Sequence, residues 1–211
     1  MLTSAQDSTA LEEYTICAAF SVFVFTEMGT IFSYALDNPF NNVLSMAVTP
    51  GVFYVTYNYN IIDIPVEQEG ILNTWQRPCL VGVRGENHTF YLNGQALRSW
   101  LWPSEDPALP LGGALVLGQD QDRFMGGYGE DRAFVGRLTH VDAWNRALTP
   151  LEVQVQNQCQ ESLLGEGDWV GWTKAPWKPE GKFETLSGDS CPSTDIKILF
   201  FNQQLLSFWK S

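Results

Sequence analysis

Twelve consecutive residues, Tyr14 to Phe25, read YTICAAFSVFVF and constrain the fold more than any other stretch of the chain. The run is rich in aromatic and β-branched residues and is apolar at odd and even positions alike, so it has no polar face to turn toward water. Such a segment predicts a strand buried in the middle of a sandwich. Shorter β-prone runs follow at regular spacing: Ile31–Leu36, Val43–Val48, Val52–Tyr57 and Cys79–Val83. Turn chemistry such as Asp37-Asn38-Pro39 and Thr49-Pro50-Gly51 separates them. His88–Leu92 then meets Asn93-Gly94, the strongest short hairpin signal in the chain, and Ala114–Leu117 and Phe134–Trp144 close the series. Many short strands with few helices predict a sandwich or jelly roll.

One helix is expected. Thr149-Pro150-Leu151-Glu152 supplies an N-cap Thr, a Pro at the first helical position and the Glu that completes a capping box, so the helix should run over 150–157. The stretch Gly165 to Gly181, with Trp169, Trp172 and Trp177, reads as loop and edge strand. No apolar secretory segment follows the polar opening Met1-Leu2-Thr3-Ser4, so an extracellular protein would have an incomplete N-terminus here. Ile196 to Trp209 is interrupted by Lys197, Asn202, Gln203 and Gln204 and is too short to span a bilayer.

Acidic residues number 24 against 12 basic ones, a formal charge of −12, so the summed field repels phosphate backbones and anionic membranes. A nucleic-acid partner is excluded on that ground. Four widely spaced cysteines, Cys17, Cys79, Cys159 and Cys191, contain no CxxC pair, and two histidines do not complete a zinc site. Their even number fits two disulfides in an oxidising compartment, the alternative being four buried thiols. The sequon Asn87-His88-Thr89 marks Asn87 for glycosylation if the chain is secreted.

Four segments taken in order carry a family resemblance: Ile31-Phe32-Ser33-Tyr34-Ala35, Leu117-Gly118-Gln119-Asp120-Gln121-Asp122, Ala133-Phe134-Val135-Gly136 and Trp144-Asn145-Arg146-Ala147-Leu148-Thr149-Pro150. Together they resemble a pentraxin domain, closest to the neuronal type and also similar to pentraxin-like domains of adhesion-class receptors. The resemblance implies an all-β, two-sheet antiparallel jelly roll of the concanavalin and laminin-G-like kind with one short helix. It places a lead-in at residues 1–13, the domain at 14–191 and a tail without assigned role at 192–211. It pairs Cys17 with Cys79 and Cys159 with Cys191. The family's opening strand is missing, which predicts an unfilled sheet edge.

The resemblance also implies a calcium-dependent, lectin-like ligand face, with Asn41, Asp120, Gln121 through its main-chain carbonyl, and Asp122 as metal ligands. Calcium prefers six to eight hard oxygens, which this set supplies only with water or ligand oxygens. At two further ligand positions of the family the chain carries Gly129 and Arg132. A glycine brings no carboxylate, and an arginine is a permanent cation that repels calcium and is itself a partner for Asp120 or Asp122. Glu130, beside Asp131, is the available substitute ligand.

Catalysis is not expected. Asp120, Asp122 and Glu130 resemble a glycosidase carboxylate set only loosely, because Gly126 and Gly127 break the run between them. Neither His88 nor His140 has a Ser or Cys nucleophile motif beside it. The expectation is extracellular, calcium-bridged recognition of an anionic ligand or protein partner, with homo-oligomers in the full-length protein. The alternative is a metal-free laminin-G-like interaction module using Trp100, Trp102, Trp169 and Trp177 as anchors.

Overall fold

A computed structural model describes residues 10–37, 43–67, 70–158, 161–179, 183–187, 197–201 and 206–209. Strands β1 (Ala10–Leu11), β2 (Glu13–Val24), β3 (Gly29–Ala35), β4 (Leu44–Thr49), β5 (Val52–Tyr57) and β6 (Asn60–Pro65) open the chain. Strands β7 (Pro78–Val83), β8 (Asn87–Leu92), β9 (Gln95–Leu101), β10 (Leu109–Pro110), β11 (Ala114–Leu117) and β12 (Val135–Trp144) follow. After helices α1 (Pro150–Asn157) and α2 (Glu161–Leu164) come β13 (Lys178–Pro179), β14 (Phe183–Ser187), β15 (Lys197–Phe201) and β16 (Leu206–Trp209). One sheet runs β13-β16-β11-β3-β4-β5-β6 and the other β14-β15-β12-β2-β7-β8-β9, each antiparallel throughout. The expected two-sheet sandwich is therefore present.

The double apolarity of β2 has a simple cause. Tyr14, Ile16, Ala18, Phe20 and Val22 face the core between the sheets. Cys17, on the opposite face, joins Cys79, Val81, Tyr91, Trp144, Leu148 and the helical Val153 in a second cluster. Helix α1 thus covers the outer face of β2 and β7, where the Cys17–Cys79 disulfide lies. Thr149 caps α1 with the expected capping box, and Glu152 also takes Arg146 in a two-pronged pair at 2.7 and 3.1 Å. That pair, and secondarily the Thr149 amide, holds the Glu152 carboxyl down to about 2.

Between the sheets, Phe20 meets Phe53 and Phe134 edge to face, and Phe53 packs on Phe90. Gly82 is required here, because a Cβ would come within 2.6 Å of Tyr14 Cε1 and 2.9 Å of His88 Cδ2. Strands β15 and β16 lie within the tail left without a role by the sequence. They pair with β12 and β11 respectively, so each sheet is extended on that side by C-terminal strands.

Candidate functional site

Asn41, Cys159 and Cys191 lie outside the described residues. Asp120, Gln121 and Asp122 sit in the loop from Gly118 to Phe134 that joins β11 to β12. Its two ends are tied to each other and to β3: Gly118 N–H donates to Ile31 O, and Phe134 N–H to Gly118 O at 2.9 Å. Gly118 has φ +79, which a glycine adopts without strain. Ser33 Oγ donates to Gln119 O at 2.8 Å, carrying the tie one residue further.

Gln121 is fully buried, and its side chain is spent inside the fold. Its amide nitrogen donates to Ser33 O and Ala114 O at 3.0 and 3.1 Å, while Oε1 accepts from Met125 N–H at 2.9 Å. The loop then doubles back, Arg123 and Gly126 exchanging backbone hydrogen bonds. Gly127 allows the reversal, because a Cβ there would lie 2.7 Å from that of Asp122. Sequence reading weighed only the Gln121 carbonyl and missed this inward amide, whose available signal was a small hydroxyl, Ser33, in the adjoining strand motif.

The two carboxylates converge on one cation. Arg132 Nη1 donates to Asp120 Oδ2 at 2.6 Å and to Asp122 Oδ1 at 3.1 Å. Side-chain exposure is 8% for Asp120, 38% for Arg132 and 55% for Asp122, so the shorter contact is also the drier one. The hydrogen bond to Asp120, with the charges of Asp122, Asp120 and Asp131 behind it, raises the guanidinium pKa further above its usual value. Arg132 closes a 3₁₀ turn, Glu130–Arg132, anchored where Met28 N–H donates to Asp131 O at 3.0 Å and Thr26 Oγ1 to Ala133 O at 2.9 Å. Glu130 is exposed on that turn. Among the described residues no group of three or more His, Cys, Asp or Glu side chains gathers as a metal centre.

The remaining candidates have structural surroundings. Asn87 is exposed at the start of β8 opposite Leu101. His88 is buried, stacked on Trp102 with centroids 4.6 Å apart, and among the described residues neither ring nitrogen has a hydrogen-bond partner. Burial pushes its pKa down to about 4, so it is neutral at pH 7. Trp102 is buried, Trp169 packs on Tyr34, and Trp177 packs on Trp172 while its Nε1 donates to Trp172 O. The four tryptophans weighed as anchors are partly or fully engaged in the fold: Trp100, too, lies against His88. Asp142 accepts from Gly167 and Trp172 N–H and so ties the tryptophan segment to β12, and burial pushes it up to about 6. A groove of about 620 Å³ lies between Pro65, Ile71, Leu92 and Leu97, with Glu67 its one ionisable lining group among the described residues.

Residues 2–185 match the pentaxin family. The rat sushi, von Willebrand factor type A, EGF and pentraxin domain-containing protein 1 is 30% identical over 177 residues, covering 81% of this chain and 5% of that protein. Rat neuronal pentraxin-1 is 30% identical over 167 residues, covering 77% of this chain and 37% of that protein. The chain therefore spans well under half the length of either relative. A heptameric SAP-like pentraxin from Limulus polyphemus superposes with a TM-score of 0.67 at 23% identity, covering 96% of this chain and 85% of that one.

Proposed function

This chain belongs to the pentaxin family, and from that premise we propose that it is an extracellular recognition domain, without catalysis, that engages a ligand or protein partner through the loop joining β11 to β12. The observation that carries the reading is the way this loop is held. Its backbone is pinned to β3 by Ser33 and Gln121, and Asp120 and Asp122 share one guanidinium nitrogen. A loop ordered in this way presents a fixed surface, which lowers the ordering cost of binding.

Asp120 and Asp122 supply carboxylate oxygens and Gln121 its main-chain carbonyl, but a permanent cation already bridges both acids. Among the described residues these oxygens fall short of the six to eight that calcium takes, and a fixed guanidinium lies between the two acids. The reading therefore runs without a metal, and the protein's net charge of −12 favours a basic or neutral partner over an anionic one. Glycosylation of Asn87 and secretion belong to the same proposal; Asn87→Gln should abolish the mobility change that a glycosidase produces in secreted material.

The test uses matrices bearing phosphate, carboxylate or ammonium groups, loaded with the purified domain in calcium or in EDTA. Retention on the ammonium matrix in EDTA that is weakened in Asp122→Asn more than in a variant neutralising the remote, exposed Glu105 supports the reading, because bulk charge alone would respond equally to both. Retention on phosphate or carboxylate only with calcium would establish calcium-bridged recognition instead, and no retention on any matrix would contradict charge-guided recognition.

A further inference from the structure

We propose that Arg132 takes, as a fixed part of the chain, the place of a bound cation between Asp120 and Asp122. The loop is then locked without metal, and these acids become a calcium site only when the guanidinium is removed. The inference deepens the recognition reading, on which it rests for the statement that this loop faces a partner.

Three observations carry it. The first is the bridge itself, in which one nitrogen reaches a nearly buried carboxylate at 2.6 Å and a half-exposed one at 3.1 Å. A carboxylate as dry as that of Asp120 requires a compensating charge, and a guanidinium never loses its proton in the accessible pH range. The second is delivery. The turn carrying Arg132 is fastened to the β2–β3 connection through Met28 and Thr26, so the cation arrives on a rigid support and its occupancy is independent of any solution concentration. The third is what the neighbouring positions withhold. Gly129 has no side-chain oxygen, and the Gln121 side chain is turned into the sheet, so that Gln121 offers an ion its main-chain carbonyl alone. An incoming divalent ion would have to sit within a few ångströms of a like charge or expel it, losing a short charge-assisted hydrogen bond.

Charge arithmetic gives the consequence of removal. Two carboxylates and a guanidinium sum to −1; without the guanidinium they sum to −2, which a calcium ion neutralises. Arg132→Gln therefore uncovers a weak site. Adding Gly129→Glu supplies a further carboxylate, at the cost of moving the exposed Asp131 carboxylate that a side chain at 129 would meet. Gly129 has extended backbone geometry that a glutamate adopts without strain.

Calcium chloride is titrated calorimetrically into wild type, Arg132→Lys, Arg132→Gln and Gly129→Glu/Arg132→Gln, with circular dichroism confirming each fold. Wild type and Arg132→Lys are expected to show no saturable binding at the roughly 10⁻⁴ to 10⁻³ M at which extracellular calcium modules bind. Arg132→Gln is expected to bind at least about tenfold more tightly than wild type, and the double variant more tightly again. Saturable millimolar binding by wild type overturns the inference and leaves the recognition reading to the matrix experiment. Folded glutamine variants that ignore calcium overturn it as well; if they do not fold alone, recovery of the fold in millimolar calcium supports the inference and no recovery overturns it.

Discussion

His88 lies face to face with Trp102, ring centroids 4.6 Å apart and planes 12° from parallel, within a buried group that also includes Tyr14 and Tyr57. Burial pushes the His88 pKa to about 4, below the 6.5 of an unfolded histidine. The unfolded chain thus takes up the proton first. Stability is full above pH 6.5 and falls as the pH drops toward 4, by about 3 kcal/mol in all. Asp142, raised to about 6, acts in the opposite sense: its contribution is full below 3.8 and is lost as the pH rises through 6. Denaturant unfolding of wild type and His88→Phe across pH 7.5 to 4 separates the two, and the difference between them should carry the His88 slope. Parallel pH profiles for the two proteins would show that His88 does not titrate against the fold.

The Cys17–Cys79 disulfide joins neighbouring strands but closes a loop with a sequence separation of 62. In the chain-entropy treatment its removal costs about 4 kcal/mol. Cys17→Ala/Cys79→Ala should unfold at a correspondingly lower denaturant concentration, and non-reducing peptide mapping should find Cys159 joined to Cys191. A Cys17 peptide linked to Cys159 would contradict both statements.

Deleting residues 192–211 removes β15 and β16 and uncovers the backbone edges of β12 and β11. Exposed edges of central strands template association between chains. Light scattering should show the truncated protein aggregating at concentrations where the full chain stays dispersed, and equal behaviour of the two would mean that these strands are dispensable.

Much of the framework was legible in the sequence, because local patterns decided it. The apolar run of β2, the Asn93-Gly94 hairpin and the capping box at Thr149 each act through near neighbours, whereas Arg132 came to the acids Asp120 and Asp122 through the family resemblance, which puts it at a ligand position, and charge then made it their partner. Other features depend on partners distant in the chain. The β5–β6 hairpin turns on Asn58 and Tyr59, both with positive φ, and lacks the glycine that advertises such a turn. The Gln121 amide is directed inward by Ser33, 88 residues away, and β15 and β16 are strands because β12 and β11 offer them edges. The Cys17–Cys79 pairing came from family resemblance, since spacing left the four cysteines open.

Within the loop, the two acids should differ in cost. Asp120→Asn weakens the short contact in a nearly buried setting and should destabilise by about 1.5–3 kcal/mol, whereas Asp122→Asn, on the exposed and solvent-screened side, should cost under about 1 kcal/mol. Thermal unfolding of the two variants checks the order, and a reversed order would place the main anchor at Asp122.

The most direct test of a metal-free lock is amide hydrogen exchange of residues 118–134 in wild type, followed by mass spectrometry in millimolar calcium and in EDTA. With Arg132 as the cation, protection of Met125 and Phe134, whose amides donate to Gln121 Oε1 and Gly118 O, should be the same in both solutions. Protection that appears only with calcium would contradict the account, because the loop would then owe its order to the ion and not to the guanidinium.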